Sequence, residues 1–338
     1  MHKRNVIVIG ASAGGLEAAR AVIGGLPADL SAAVFVVIHI PPYHESALPE
    51  ILSGSGPLKA SHPEDGERIQ SGRIYVAPPD KHLLLEAGRI MVKRGPKENR
   101  FRPSIDALFR SAAYVYGPSA VGVVLSGVLD DGTSGLWSIK RLGGIVVIQE
   151  PNDARHPEMP RSVLEYVDCD HVCAAKDIGP LLGRLAGQII PEGQDLSKPE
   201  LRRLGLEVEI AARGNAFGKG IMEWGDMAKY TCPECHGALV KLQEGQMIRY
   251  RCHTGHAFTP SALLAGITEA VEETLWQAMR GLEEQAMLLE HIATHYSETG
   301  RQDKAELFRQ KARKSKEQAD VVHESLPHHE QLSNDLKP

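Results

Sequence analysis

Five short, nearly unbroken apolar runs rich in β-branched residues punctuate the first half of this chain: Val6–Ile9, Val34–Ile40, Ile74–Ala77, Val121–Leu125 and Ile145–Gln149. A strand with one wet face alternates apolar and polar residues. These runs do not alternate, so they predict strands buried on both faces. Leu16–Gly24, Ser104–Tyr116 and Gly135–Leu142 lie between them and read as helices. Strands alternating with helices predict an α/β domain with a doubly wound, mostly parallel sheet. His82–Glu86 and Arg89–Lys93 flank Ala87-Gly88 and read as an antiparallel edge hairpin. This domain is expected to fill residues 1–188.

The strand ends carry the chemistry. Gly10-Ala11-Ser12-Ala13-Gly14-Gly15 follows the first strand and opens a helix. Small residues allow a sharp turn on which a serine hydroxyl stands clear, with helix N-terminal N–H groups at hand for an oxyanion. The string fits the G-x-S-x-G elbow, a weak signal alone. The competing reading is a phosphate-binding turn. Its third glycine comes one residue early for G-x-G-x-x-G, the middle position is serine, and no acidic residue ends the second strand. His39 stands there instead, stopped by Pro41-Pro42, and Asp130-Asp131-Gly132 follows the run Val121–Leu125. All three features fall past the C-terminal ends of expected parallel strands, the edge where open α/β sheets place their sites. Hydroxyl, imidazole and carboxylate are the parts of nucleophilic acyl transfer, with His39 as base for Ser12 and either aspartate holding the imidazole. A positioned base is worth roughly 10²–10⁴ in rate. The order Ser, His, Asp is not that of the α/β-hydrolases, so any likeness to them is in chemistry and not in fold. Histidine at a strand end and Asp-Asp-Gly in a turn both have bland structural readings as well. His82 reads as structural or rim-lining, and Arg102 and Asp106 as fixing a helix start.

Read in order, the motifs Val8-Ile9-Gly10-Ala11-Ser12-Ala13-Gly14-Gly15, Val37-Ile38-His39-Ile40, Tyr75-Val76-Ala77-Pro78-Pro79-Asp80-Lys81-His82-Leu83, Arg102-Pro103-Ser104-Ile105-Asp106, Leu125-Ser126-Gly127-Val128-Leu129-Asp130-Asp131-Gly132 and Met159-Pro160-Arg161-Ser162 resemble the catalytic domain of chemotaxis protein-glutamate methylesterases. The resemblance spans about residues 4–187. It implies a serine hydrolase that removes methyl from γ-glutamyl methyl esters on chemoreceptors and releases methanol; some members also deamidate receptor glutamines. It implies Ser12 as nucleophile, His39 as base and Asp131 as third member, a choice between the two aspartates that spacing leaves open. Well-known members carry an N-terminal receiver domain, and here the catalytic motif begins by residue 6, so that switch is expected to be absent. Val128 and Leu129 stand where the family often has Met and Gly, and Ile38 where it often has Gln.

After residue 188 the rhythm stops. Residues 189–228, with Pro191, Gly193, Ser197 and Pro199 at their start, read as a linker with room for one short helix. Three of the five cysteines then fall in residues 229–259. Cys232-Pro233-Glu234-Cys235 and Cys252-His253-Thr254-Gly255-His256 bracket Leu239–Leu242 and Ile248–Arg251, a hairpin turning at Glu244-Gly245. Knuckle, hairpin and second ligand pair make a zinc-ribbon-like module. Neighbouring turn residues rarely reach one metal, so His256 is expected over His253, giving Cys232, Cys235, Cys252 and His256. Four filled positions make the zinc structural, and no cofactor is expected for catalysis. Cys169 and Cys173 flank an expected last strand and read as inert thiols.

From Thr259-Pro260, a cap and a first-turn proline, the chain reads as an α-helical hairpin over 260–326, with the apolar stripe Leu264, Ile267, Val271, Leu275, Ala278, Leu282, Leu289 and Ile292 and a break at Gly300. Residues 327–338 read as a disordered tail. The net charge of −5 offers no basic surplus, so nucleic acid is not an expected partner. No apolar run approaches the roughly 18 residues of a membrane span, and Val6–Ile9 is too short for a signal-peptide core. A cytoplasmic protein without membrane insertion is expected. Its expected partners are methylated chemoreceptor-like proteins, with a paired methyltransferase or signalling-array protein on the helical tail. The alternative is a non-catalytic regulatory or scaffold protein working through ribbon and tail. The extra modules and the altered Val128-Leu129 turn motivate it.

Overall fold

The computed structural model describes residues 3–43, 45–190 and 198–335. Its first half is built on β1 (Val6–Ala11), α1 (Gly15–Gly24), β2 (Ala33–Ile38), α2 (Leu48–Ser53), β3 (Lys59–Ser61), β4 (Arg73–Val76), β5 (His82–Glu86), β6 (Arg89–Lys93), α3 (Ile105–Tyr116), β7 (Ala120–Val124), α4 (Thr133–Arg141), β8 (Ile145–Gln149), α5 (Glu158–Tyr166), β9 (His171–Cys173) and α6 (Ala175–Leu185). Seven strands form one sheet in the order β3-β4-β2-β1-β7-β8-β9, every pairing parallel.

Side chains of a strand point alternately to the two faces, and here both faces are dry. Ile7, Ile9 and Ala11 pack with Val22 and Ile23 of α1 and Ile178 and Leu182 of α6. Val6 and Val8 pack with Leu108 and Phe109 of α3 and Leu136 of α4. This is why the runs do not alternate. β5 and β6 form the hairpin read from sequence, but as a two-stranded sheet separate from the seven-stranded one, with Arg89 bridged to Arg68. Leu83, Leu85 and Ile90 join the α3 core, and the Leu85 N–H is taken by the Ser111 hydroxyl at 3.0 Å. With its apolar face covered by α3 and Ile90 exchanging backbone hydrogen bonds with Gly66 and Glu67, the hairpin has no need of the large sheet's edge.

The span expected as a linker carries α7 (Lys198–Arg213), a 16-residue helix; residues 191–197, which include Pro191, Gly193 and Ser197, lie outside the described residues. Val208, Ile210 and Ala211 of α7 are buried. Next come β10 (Asp226–Thr231), β11 (Ala238–Glu244), β12 (Met247–Cys252) and β13 (Ala257–Phe258), a four-stranded antiparallel sheet. It is fastened to the first half by buried charge. Glu98 accepts from Arg110 at 2.9 Å and from Arg251 at 2.8 Å. Glu207 of α7 accepts from Arg249 and Arg251, each at 2.9 Å, and Glu244 from Arg249 at 2.5 Å. Three arginines face three glutamates, so the network is neutral as a whole. The guanidinium groups hold Glu98 and Glu207 ionised, well below the usual carboxylate range, although burial opposes it. The chain accordingly groups residues Met1–Leu263 in one compact unit, so a boundary between catalytic domain and ribbon falls inside a single body.

A second unit, Leu264–Pro338, holds most of α8 (Pro260–Glu298) and all of α9 (Gln302–Asp335). Ala305, Ala312, Ala319 and Leu326 recur every seven residues and are buried, which is the spacing of a close helix–helix seam. Tyr296 stacks on Phe308 at 5.4 Å, and Ser315 bonds Gln285 at 2.5 Å. The expected stripe is only partly inward: Leu264 and Val271 are exposed. α9 also runs through residues expected as tail, to Asp335. Pro327 lies inside this helix, where an interior proline costs about 3 kcal/mol.

Candidate active site

The strand order reverses between β1 and β7, and the crevice at such a reversal is the natural place for a site. β1 leads into Ser12 through a turn that requires glycine. Gly14 has φ +66°, and a Cβ there would stand 2.8 Å from the Arg155 Cβ. On the strand itself, a Cβ at Gly10 would sit 2.2 Å from Ile105 Cγ2, so glycine lets α3 approach β1. The Ser12 N–H donates to Ser126 O at 3.0 Å, and the His39 N–H donates to Ala11 O at 3.1 Å, which extends the β1–β2 register to the histidine.

These backbone bonds bring the side chains into a line. Ser12 Oγ lies 3.1 Å from His39 Nδ1, and His39 Nε2 lies 2.9 Å from Asp131 Oδ2. The imidazole is stacked on Phe101, with centroids 3.7 Å apart and planes 12° from parallel, which fixes its tilt. An ionised Asp131 only accepts, so Nε2 carries the ring proton and Nδ1 turns its lone pair to the Ser12 hydroxyl. The two ring nitrogens face their partners in the opposite order to the chymotrypsin-type triad, Nδ1 toward the serine and Nε2 toward the aspartate. Among the described residues nothing accepts from the N–H groups of Ala13 and Gly14 at the α1 N-terminus, which leaves them for an oxyanion.

Asp131 is 2% exposed. Burial alone would raise its pKa, but the hydrogen bond and charge of His39 and the donors of Asn99 and Ile105 outweigh burial, and the carboxyl is held below its usual range. Besides His39 it accepts from Ile105 N at 2.8 Å, Asp106 N at 3.1 Å, Ser104 Oγ at 3.1 Å and Asn99 Nδ2 at 2.9 Å. Two of these are the first N–H groups of α3, where a negative charge is favoured. Asp130, the neighbour that spacing could not separate from it, turns away and accepts from Thr259 Oγ1 at 2.7 Å. Burial pushes the Asp130 carboxyl up to about 6.

The other sequence candidates have structural places. Asp106 is buried and accepts the N–H groups of Gly132 and Gly135, at 3.1 and 2.7 Å, so it caps α4 from α3. Burial, and then the charge of Asp131, push it up to about 8. Arg102 grips Asp80 at 2.6 Å. His82 donates from Nε2 to Pro96 O at 2.8 Å and accepts the Ser104 N–H at 3.2 Å, so it is structural. Phe101, Asn99, Ser104 and Thr259 contribute to the site without having been picked from the sequence. Ser104 stands in a quoted motif, one residue before a helix start, which is a signal for a capping role.

The cysteine cluster assembles at the far end of β12. Cys232, Cys235, Cys252 and His256 bring their donor atoms within 4.8 Å of one another. Cys235 Sγ is 3.7 Å from Cys252 Sγ, and His256 Nδ1 is 3.6 and 3.5 Å from the sulfurs of Cys232 and Cys252. Ligands about 2.3 Å (sulfur) and about 2.0 Å (nitrogen) from a tetrahedral zinc stand about 3.5–3.8 Å apart, so the residues fit that ion. The ring of His253 instead packs over Gly237, where a Cβ would stand 2.0 Å from its Cε1.

A parallel sheet carrying a hydroxyl, an imidazole and a carboxylate in hydrogen-bond sequence at its switch point defines a class, the α/β proteins equipped for serine-nucleophile acyl transfer. Within that class, the chain belongs to the CheB methylesterase family, whose model matches residues 7–182. A putative protein-glutamate methylesterase/protein-glutamine glutaminase of Leptospira interrogans is 39% identical over 180 residues, 53% of this chain and 93% of that protein. A protein-glutamate methylesterase/protein-glutamine glutaminase of Methanosarcina acetivorans is 37% identical over 192 residues, and this chain spans about half its length, 54%. The crystal structure of the Thermotoga maritima CheB methylesterase catalytic domain superposes with a TM-score of 0.52 at 33% identity, covering 55% of this chain and all of that one. The ribbon and the helices lie outside the matched residues.

Proposed function

We propose that this chain is a protein-glutamate methylesterase that hydrolyses γ-glutamyl methyl esters on methylated chemoreceptor-type signalling proteins. The hydrogen-bonded line Ser12–His39–Asp131, at 3.1 and 2.9 Å, carries the reading. Ser12 Oγ attacks the ester carbonyl as Nδ1 of His39 takes its proton. The tetrahedral oxyanion turns to the N–H groups of the Ser12 turn. Collapse expels methanol, which takes the proton back from Nδ1. Water, activated by the same nitrogen, then frees the glutamate and restores Ser12. Asp131 holds the imidazole in the useful tautomer and offsets its charge while it is protonated. The same steps on a glutamine amide release ammonia, which supports a glutaminase activity at this site.

The ribbon residues would hold a structural zinc, which would supply folding energy and no chemistry, since all four positions are protein ligands. In the same reading the two-helix unit binds a protein of the signalling pathway, such as a paired methyltransferase or an array protein. Its exposed Met287, Leu288 and Val321 support this. Among the described residues no helix is long and apolar enough to cross a membrane. The test is methanol release from a chemoreceptor cytoplasmic fragment carrying radiolabelled methyl esters. Ser12→Ala should abolish release, and release at the parent rate would overturn the reading.

A further inference from the structure

We infer that Asn99 is a positioning residue for the catalytic carboxylate, and that the ribbon sets its orientation through Thr259. The inference rests on the triad reading above and extends it to residues outside the family's matched span. Asn99 is 3% exposed. Its Nδ2 donates to Asp131 Oδ1 at 2.9 Å and to Asp106 Oδ2 at 2.8 Å. Its Oδ1 accepts the Thr259 N–H at 3.0 Å, and its own N–H donates to Ala257 O at 2.8 Å. The amide can sit only this way round. Flipped, its oxygen would face two carboxylates and its NH2 would face an N–H. One side chain therefore donates to both Asp106 and Asp131, two acids buried against each other.

Thr259 adds a second bond on the other side. Its hydroxyl donates to Asp130 Oδ1 at 2.7 Å while its N–H holds Asn99. A single ribbon-exit residue thus fixes the residue before Asp131 and the amide that grips Asp131. Thr259 follows β13, whose Ala257 pairs with Arg251, and Arg251 is anchored on buried Glu98 and Glu207. The far end of the clamp is as rigid as the ion network. Asn99 and Arg100 both lie in the left-handed region, at φ +50° and +74°, which residues with a Cβ avoid unless their surroundings hold them there. Asn99 does not touch the reacting atoms. It acts by keeping Asp131 where His39 retains its proton on Nε2.

The experiment uses the full chain. Parent, Asn99→Ala, Thr259→Val, Thr259→Ser and Ser12→Ala are compared for kcat and KM on a γ-methyl-glutamyl peptide, for the rate of Ser12 labelling by a fluorophosphonate, and for thermal midpoint. Loss of a residue that orients another costs about 10–100-fold in activity. Asn99→Ala is expected to lose that much in kcat and in labelling rate, with KM within about twofold. Thr259→Val, which keeps the backbone N–H to Asn99 but loses the hydroxyl bond to Asp130, is expected to lower kcat, and Thr259→Ser, which keeps both bonds, to restore it. A folded Asn99→Ala chain with kcat and labelling rate at parent level overturns the inference. If Asn99→Ala does not fold, equal kcat for Thr259→Val and Thr259→Ser overturns it. Methanol release by Ser12→Ala at the parent rate would instead remove the triad reading, a separate result.

Discussion

Asp131→Asn is the sharpest test of the proton relay, because the surroundings decide how the new amide must sit. Oδ1 accepts from Asn99, Ser104 and the Asp106 N–H, and Oδ2 from the Ile105 N–H and His39. Every partner is a donor, so an amide NH2 clashes on either side. Turned to the Oδ1 side, it leaves the Asn99 NH2 and the Asp106 N–H without an acceptor, while the Ser104 hydroxyl can turn and accept. Turned to the Oδ2 side, it leaves only Ile105, because the imidazole can adapt by moving its proton. Each buried unsatisfied group costs about 1–3 kcal/mol, so the second arrangement wins. His39 then accepts at Nε2 and carries its proton on Nδ1, pointing at Ser12, where it can no longer act as base. The loss expected for a wrong tautomer is about 10⁴ in kcat, or about 5 kcal/mol of transition-state stabilisation. Steady-state methanol release gives kcat, nitrogen NMR of labelled His39 gives the tautomer, and a melting curve shows that the chain is folded. A folded variant within tenfold of the parent kcat, or one whose ring proton stays on Nε2, would refute the reasoning.

Asp106, raised to about 8 in the folded chain by burial and by Asp131, binds a proton that the unfolded chain releases near pH 4. Stability should therefore fall as pH rises between about 4 and 8, and melting midpoints over that range should fall less in Asp106→Asn than in the parent. Glu207→Ala leaves Arg110, Arg249 and Arg251 with too little negative charge; urea unfolding should show a loss of about 3–5 kcal/mol, and a loss below about 1 kcal/mol would deny the network its role. Elemental analysis of the purified chain should give about one zinc per chain. Cys252→Ser should lose the metal and lower the melting midpoint, whereas His253→Ala should keep both.

Much of the first half is readable from sequence because burial on both faces leaves a local mark. All five apolar runs lie on strands of the large sheet, and the ends of three of them carry Ser12, His39 and Asp131. β3 left no such mark: Lys59-Ala60-Ser61 is an edge strand of three residues. Asn99 and Thr259 lie 160 positions apart in the chain, and no window on either residue contains the other. Arginines and glutamates are usually exposed, so Glu98, Arg110 and Glu207 pass as surface charge. One signal was present. Arg249 and Arg251 occupy alternate positions of β12, the same face as buried Met247, where apolar residues are expected.

The ring of three arginines and three glutamates also has a consequence for handling this protein in pieces. Cutting the chain at the end of the family-matched segment would leave Glu98 and Arg110 on one fragment and Glu207, Glu244, Arg249 and Arg251 on the other. Both new surfaces would bring apolar residues into water beside freshly hydrated charges: Leu84 and Ala107 on the first, Ala211 on the second. A fragment of that kind invites aggregation, even though the triad residues are all retained in it. The smallest soluble esterase to expect from this sequence is therefore the whole of residues 1–263.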